Sequence, residues 1–170
     1  EEEVHNRLIE MLPTMKLSNF AFRNGGDLNF ESASEIWGLD QVSYSSGSAY
    51  ADLNNDGALD LVVNNINDQA FIYQNNAIQV LSNNFIQIDL KGGQSNKFGI
   101  GAEVTIFCGE EIFHQLLSTS RGFQSGSSTT LTFGLGQRDE VDSISVSWSA
   151  NEKEVFYENP VNKKILLEKG

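Results

Sequence analysis

The sequence is poor in cysteine and has no long apolar run. Among its 170 residues Cys108 is the single cysteine, which excludes an internal disulfide framework. Its place in the apolar run 104–108 predicts a buried, unreactive thiol. No stretch approaches the ~18 consecutive apolar residues of a membrane-spanning helix, so we expect no membrane insertion. No apolar targeting segment precedes the acidic start, and any such segment is expected to have been removed or to lie upstream.

Positive charge is also scarce. The chain has 11 Lys and Arg residues against 23 Asp and Glu residues, for a formal net charge of −12. Such a chain repels phosphate backbones and anionic lipid headgroups at long range. We therefore expect no nucleic-acid partner and favour divalent cations as ligands. With 39% apolar residues the chain can bury the core of one domain or of two small ones.

Helical periodicity is confined to the N-terminus. Residues 3–12 place their apolar side chains on one face, with acids at the start that complement the helix dipole, and Pro13 ends this predicted short N-terminal helix. From Phe20 onward, short apolar or alternating runs between Gly, Asn, Asp and Ser clusters predict strands. The predicted strands are 19–23, 29–32, 48–52, 59–64, 70–74, 84–90, 101–108, 111–118, 128–133, 141–148, 153–157 and 163–168.

Polar segments near residues 75 and 83 separate two groups of strands. We predict a first segment over residues 1–76 and a β domain over residues 84–170, with the apolar residues 77–81 packed between them. In the strand 144–148, Ile, Val and Trp alternate with serine, which predicts apolar side chains facing a core and serines facing solvent. The pattern as a whole predicts a mainly β fold with a β-sandwich or barrel in the C-terminal half.

The run 52–60 carries acidic and amide side chains at a spacing that suits a hard cation. Oxygen-bearing side chains occupy loop positions one, three, five and nine, and the residue at position seven offers its backbone carbonyl. Gly57 at position six permits a sharp turn. Because Ca²⁺ takes about six to eight oxygen ligands, the spacing predicts a calcium site. The predicted metal ligands are Asp52, Asn54, Asp56, Ala58 and Asp60.

This loop differs from an EF-hand. Position twelve is Val63, so Asp60 has to close the ligand shell, and the flanking segments are typical of strands. The alternative interpretation is an Asx-rich turn that caps a hairpin without a metal. Zinc is disfavoured because the loop has no His or Cys, and magnesium because it prefers strict octahedral geometry.

Residues 47–65 resemble the FG-GAP/VCBS repeat, a blade unit of calcium-bearing β-propellers, and residues 22–30 are similar to the strand-turn-strand that closes a preceding repeat. Residues 84–157 resemble the ASPIC/UnbV domain, which follows such repeats in cartilage acidic protein and many bacterial secreted proteins. The motifs that carry this second resemblance are Gly99-Ile100-Gly101-Ala102, Ser120-Arg121-Gly122-Phe123-Gln124-Ser125, Phe133-Gly134-Leu135-Gly136 and Val141-Asp142-Ser143-Ile144-Ser145-Val146-Ser147-Trp148.

The resemblance implies a partial propeller-like calcium hairpin in the C-terminal piece of a longer protein that is secreted or held at the cell surface, in an extracellular or periplasmic location. It implies a non-enzymatic interaction or adhesion module whose partner is an extracellular protein or glycan. Because one repeat cannot cover its own faces, its strand edges pack on the second half, pair with another copy to form a homo-oligomer, or stay exposed. Asn54 stands where the family often has Asp, which lowers the negative charge and the expected affinity.

The alternative function is a glycan-binding accessory protein of a nutrient-capture system. It requires an exposed aromatic platform beside polar groups. Among the polar residues, Arg121 is a candidate to bind a carboxylate or a glycan hydroxyl. The other interpretation is that Arg121 forms an internal salt bridge. The aromatic side chains are equally typical of core packing. The candidate platform residues are Phe123, Trp148, Phe156 and Tyr157.

A hydrolase would need a nucleophile and a base. His114 with Ser118 or Ser120 is the best pair available, but no Gly-x-Ser-x-Gly elbow marks a nucleophile, and His114 alternates with apolar residues of a predicted strand. We therefore predict no catalytic residue and no enzymatic activity.

Overall fold

The computed structural model describes residues 15–122, 125–157 and 159–170, which are mainly β. The predicted N-terminal helix over residues 3–12 lies outside the described residues. The strands are β1 (Leu17–Ser18), β2 (Phe22–Gly26), β3 (Asn29–Ser32), β4 (Val42–Ser43), β5 (Ser45–Ala51), β6 (Asp60–Asn65), β7 (Phe71–Tyr73), β8 (Asn84–Lys91), β9 (Glu103–Cys108), β10 (Glu111–Leu116), β11 (Leu131–Gly136), β12 (Ser143–Ser149), β13 (Glu152–Phe156) and β14 (Lys163–Glu168). One short helix, α1 (Ala77–Leu81), lies between β7 and β8.

The described residues divide into two compact units. The first comprises the described residues up to Ser46 together with Asn64–Ala70, and the second comprises Gly47–Val63 and Phe71–Gly170. The first unit contains the antiparallel pairs β1–β4 and β2–β3. Strands β5, β6 and β7 form a sheet in that order. The predicted division into 1–76 and 84–170 stays a prediction.

Two open sheets share the hydrophobic core of the second unit. One has the strand order β10-β9-β12-β13 and the other the order β11-β8-β14. All these neighbours are antiparallel except β14, which runs parallel to β8. Side chains of both sheets, among them Ile86, Val104, Leu131 and Ile144, belong to one buried cluster. The outermost strands of each sheet are edge strands, so no closed barrel forms among the described residues. The predicted barrel alternative is therefore wrong.

Strand β12 shows how well local alternation predicted burial. Its three apolar side chains that were predicted to face a core are buried. Ser145, predicted to face solvent, is only 3% exposed. The reason is that β12 is an interior strand, on which Ser145 stands directly between Thr105 of β9 and Val155 of β13. Neighbouring side chains on the same face cover the small hydroxyl group.

Residues 77–81, predicted to pack between the two halves, form helix α1, and none of them is buried. Ser82 ends the helix in the left-handed conformation, with a φ of 52°. No helix among the described residues combines the length and the apolar character needed to cross a bilayer.

Most of the predicted strands differ from the observed ones by one to three residues at an end, and β9 and β11 are two examples. Strand β9 begins at Glu103 because Gly99 and Gly101 adopt φ values of 62° and 86°, which lie outside the strand region. Strand β11 runs over Leu131–Gly136 rather than 128–133. The glycine pair therefore forms a turn before a strand.

Replacing Ile144 by Val is expected to lower the free energy of unfolding by about 0.5–1.5 kcal/mol, because the change removes one methyl group from a closely packed site. Ile144 is 0% exposed, whereas Ile112 on β10 is 63% exposed. Ile112→Val is therefore the matched control, with an expected change within about 0.5 kcal/mol. Urea unfolding of both variants measures the difference, and equal losses would contradict the placement of the core.

Candidate functional site

The loop between β5 and β6 folds back so that its backbone N–H groups donate hydrogen bonds to its first carboxylate, that of Asp52. The backbone N–H of Asp56 donates to Oδ1 of Asp52 (3.1 Å), and that of Gly57 donates to Oδ2 (2.9 Å). Two loop residues have positive φ, Asn55 at 59° and Gly57 at 91°. Gly57 adopts this conformation without the strain that a Cβ brings, so the sharp turn predicted at position six is present.

The carboxylate of Asp56 accepts hydrogen bonds from three groups. Its Oδ1 accepts from the backbone N–H of Ala58 (2.8 Å), and its Oδ2 accepts from Nδ2 of Asn54 (2.9 Å) and Nε2 of Gln79 (2.8 Å). The Ala58 N–H, followed by the Gln79 and Asn54 amides, holds the pKa of the Asp56 carboxyl below its ordinary value. Asp56 is therefore ionised at neutral pH.

Asp60 is buried at the start of β6. Its Oδ2 accepts from the backbone N–H of Leu53 (3.0 Å), and its Oδ1 accepts from the backbone N–H of Asn75 (2.8 Å). The Asn75 side chain donates in turn to the carbonyl of Leu59 (3.2 Å). Asp60 thus joins both ends of the loop to the segment that follows β7.

The loop also contacts β8. Nε2 of Gln87 donates to Oδ2 of Asp52 (2.8 Å) across 35 residues of sequence. A Cβ built on Gly57 would lie 2.2 Å from ring atoms of Phe85. Sequence reasoning missed Gln79, Phe85 and Gln87. The usable signal for Gln87 was its amide in the middle of the apolar run 84–90, where a buried polar side chain needs a partner.

The candidate ligand atoms of the loop are all oxygens, which is the type of ligand that calcium binds. A carboxylate has about four acceptor positions. Asp52 and Asp56 each accept hydrogen bonds at three of them, and Asp60 at two. With respect to the described residues, each carboxylate therefore keeps an acceptor position that a cation could use.

Hydrogen bonds link the predicted ligands to one another, but these residues do not form a complete metal site. Asn54 and the Ala58 N–H contact Asp56, the Asp56 N–H contacts Asp52, and Asp60 is linked to the loop through Leu53. In the described ranges, no group of three or more His, Cys, Asp or Glu side chains is arranged to hold a metal ion. Convergence of the ligands on a cation stays a prediction.

Replacing Gln79 by Leu is expected to raise the pKa of Asp56 toward its ordinary value, because the change removes one hydrogen bond to the charged form. The native pKa is lower than the unfolded value of about 3.9. The charged carboxylate therefore stabilises the fold above that value, and this contribution is lost as pH falls through the native pKa. A ¹³C NMR titration of the Asp carboxyls measures the change. Gln94→Leu, in an exposed loop, is the control, and equal Asp56 midpoints in both variants would contradict the assigned contact.

The residues considered for catalysis have other partners. Nδ1 of His114 shares a hydrogen bond with Oγ1 of Thr105 (3.0 Å), and the Ser118 hydroxyl donates to the carbonyl of Ser120 (3.3 Å). The absence of enzymatic activity stays a prediction.

The four aromatic candidates do not share one environment. Trp148 belongs to the buried core, and its Nε1 donates to Oε2 of Glu154 (2.8 Å). Phe156 is half-buried against the same core, whereas Tyr157 is exposed. Phe123 lies outside the described residues. The core-packing interpretation therefore applies to Trp148 and Phe156, and these two rings do not supply an exposed platform.

Arg121 lines a cleft of about 380 Å³ in the second unit. We call it the polar cleft; hydroxyl and amide side chains from β5, β8, β10 and β11 line it, together with loop residues. A guanidinium N–H of Arg121 donates to the carbonyl of Leu116 (3.1 Å). Among the described residues no carboxylate forms a salt bridge with Arg121, so the internal salt bridge is not found there.

The C-terminal part of the chain is similar to a known family. Residues 92–170 match the family described as ASPIC and UnbV. The match includes β9 to β14 and Arg121 and begins after the 52–60 loop. No curated protein matches the chain. The ASPIC/UnbV resemblance is confirmed over these residues, whereas the FG-GAP/VCBS resemblance of residues 47–65 stays a prediction.

Proposed function

We propose that this protein, whose C-terminal part matches the ASPIC and UnbV family, is a non-enzymatic calcium-binding interaction module. The observation that carries the proposal is the 52–60 loop, an all-oxygen set of candidate ligands that is hydrogen-bonded to β8 through Asp52 and Gln87. Bound Ca²⁺ would supply the positive charge that neutralises the loop carboxylates. The residues that would hold it are Asp52, Asn54, Asp56, Ala58 through its carbonyl, and Asp60.

The role of the cation is structural. Three carboxylates within nine residues repel one another, and this repulsion opposes closure of the loop. The same carboxylates accept the hydrogen bonds that attach the loop to β8 and to the segment after β7. Neutralisation therefore stabilises these attachments, all of which lie within the second unit.

The charge of the loop supports a location outside the cytoplasm. Asn54 contributes no negative charge at position three, which lowers affinity. Calcium sites of extracellular modules bind with Kd values of about 10⁻⁴–10⁻³ M, weaker than cytosolic sensors. A weak site of this kind is occupied only where calcium is abundant, as in a secreted, periplasmic or cell-surface protein.

Exposed aromatic side chains support an interaction role. In the first unit Phe20 and Phe22 are both exposed, with ring centroids 6.4 Å apart and nearly parallel planes. Contiguous exposed apolar surface is typical of protein interaction sites. These rings favour a protein partner or a second copy of the chain.

A glycan-binding accessory function is the second candidate. The polar cleft favours it, because hydroxyl and amide groups line it together with the cationic side chain of Arg121. An aromatic platform built on Trp148 and Phe156 no longer supports it, since these rings pack in or against the core.

Calcium titration by calorimetry tests the first candidate. We expect saturable binding at submillimolar to millimolar concentration and weaker binding of Mg²⁺, which prefers strict octahedral geometry. A flat calcium titration, or equal responses to both ions, would reject the calcium proposal.

A further inference from the structure

The polar cleft has the size and lining of a small-molecule site. Its volume of about 380 Å³ falls within the roughly 300–1,000 Å³ of ligand pockets. Leu117 and Leu131 are buried and form an apolar part of the lining. Every lining residue belongs to the second unit.

Arg121 is the cationic group of this cleft that pairs with no carboxylate of the described residues. A guanidinium has five N–H donors, and within the described ranges Arg121 directs a hydrogen bond to Leu116 and pairs with no carboxylate. Lys164, which also lines the cleft, differs because it pairs with Asp89 (2.9 Å) and donates to Thr130 (3.1 Å). The remaining N–H donors of Arg121 suit a ligand carboxylate, which a guanidinium can bind with two parallel hydrogen bonds.

Hydroxyl and amide groups line the same cleft as this cation. Nε2 of Gln115 donates to the carbonyl of Thr132 (2.8 Å), which leaves the Gln115 side-chain oxygen as an acceptor. Ser128 Oγ accepts from the Thr130 N–H (3.1 Å), which leaves its O–H as a donor. Tyr50 adds a half-buried aromatic ring to the lining. Donors, acceptors and an aromatic ring in one cleft match the hydroxyls and the C–H face of a sugar.

Asp52 narrows the ligand class further. Its carboxylate also lines the cleft, so a simple anion meets a like charge as well as Arg121. A sugar that carries one carboxylate and several hydroxyls suits both groups, because its carboxylate pairs with Arg121 while a hydroxyl donates to Asp52. A peptide C-terminus offers the carboxylate but few hydroxyls.

We propose that the polar cleft binds an acidic saccharide of the hexuronic acid class. This inference rests on the second candidate function, which it deepens, and does not depend on calcium in the 52–60 loop. Arg121 binds the sugar carboxylate, and the cleft hydroxyls and amides bind the sugar hydroxyls.

Titration of the full chain with trigalacturonate, followed by ¹H–¹⁵N NMR, tests the proposal. It is done in EDTA and repeated with calcium, because uronates bind calcium themselves. We expect saturable shifts confined to cleft residues and at least tenfold weaker binding of the neutral galactose trimer.

Arg121→Gln is expected to weaken trigalacturonate binding about tenfold or more, since it removes charge-assisted hydrogen bonds. Lys153→Gln on β13 removes the same charge outside the cleft and is expected to bind like the parent protein.

Three results would overturn the proposal: no binding in either buffer, equal binding of the neutral trimer, or an Arg121→Gln variant that is folded by thermal melt and binds as tightly as the parent. A peptide with a free C-terminal carboxylate that binds the cleft more tightly than trigalacturonate would overturn it as well. Asp56→Asn, outside the cleft, is expected to retain trigalacturonate binding in EDTA. Failure of the calcium site and failure of the cleft are therefore distinguishable.

Discussion

Calcium at about 100 times its Kd is expected to raise the free energy of unfolding by about 2.7 kcal/mol, because a ligand of the folded loop that does not bind the unfolded chain favours the folded state. The closed loop brings Asp52 and Asp56 together through a backbone N–H, and binding neutralises their repulsion. Thermal unfolding with calcium and with EDTA measures the shift.

Asp56→Asn is the variant that assigns this shift to the loop. The amide keeps an oxygen acceptor for the Ala58 N–H but removes the charge, so most of the calcium-dependent stabilisation should disappear. Asp139→Asn, in an exposed loop, removes the same charge elsewhere and should respond like the parent protein. If both variants keep the full response, calcium binds at another place.

Gly57→Ala is expected to destabilise the protein by roughly 2–4 kcal/mol, since backbone strain and overpacking act together. Gly57 has a φ of 91°, which favours glycine, and its added Cβ would lie 2.2 Å from the Phe85 ring. The half-buried ring has to move for the Cβ to fit. Urea unfolding in EDTA measures this cost without any contribution from calcium.

Gly101→Ala separates the two causes. Gly101 has nearly the same φ, 86°, but nothing lies within 4 Å of the position that an added Cβ would take, so only the strain of about 1 kcal/mol applies. Adding Phe85→Ala to Gly57→Ala should recover the steric part, which a double-mutant cycle detects as coupling. Equal costs at Gly57 and Gly101 with no coupling would show that the loop does not pack on Phe85.

The features that the sequence predicted well depend on local pattern. Period-two alternation placed most strands and the buried face of β12, and the turn at Gly57 followed from the preference of glycine for positive φ. The motifs of the C-terminal half pointed to the family that residues 92–170 match. The helix over 77–81 was not predicted, because five apolar or amide residues are too short a stretch to show a helical period.

By itself, the sequence determined which strand positions are apolar, where the acidic loop lies, and that the loop turns sharply at its glycine. Each of these properties depends on neighbours only a few residues away. Only the tertiary structure decided that β14 lies parallel to β8, that Gln87 and Phe85 meet the loop, and that Arg121 shares a cleft with Tyr50. These contacts depend on which strands pair and pack, and such pairings join residues tens of positions apart that local periodicity does not connect.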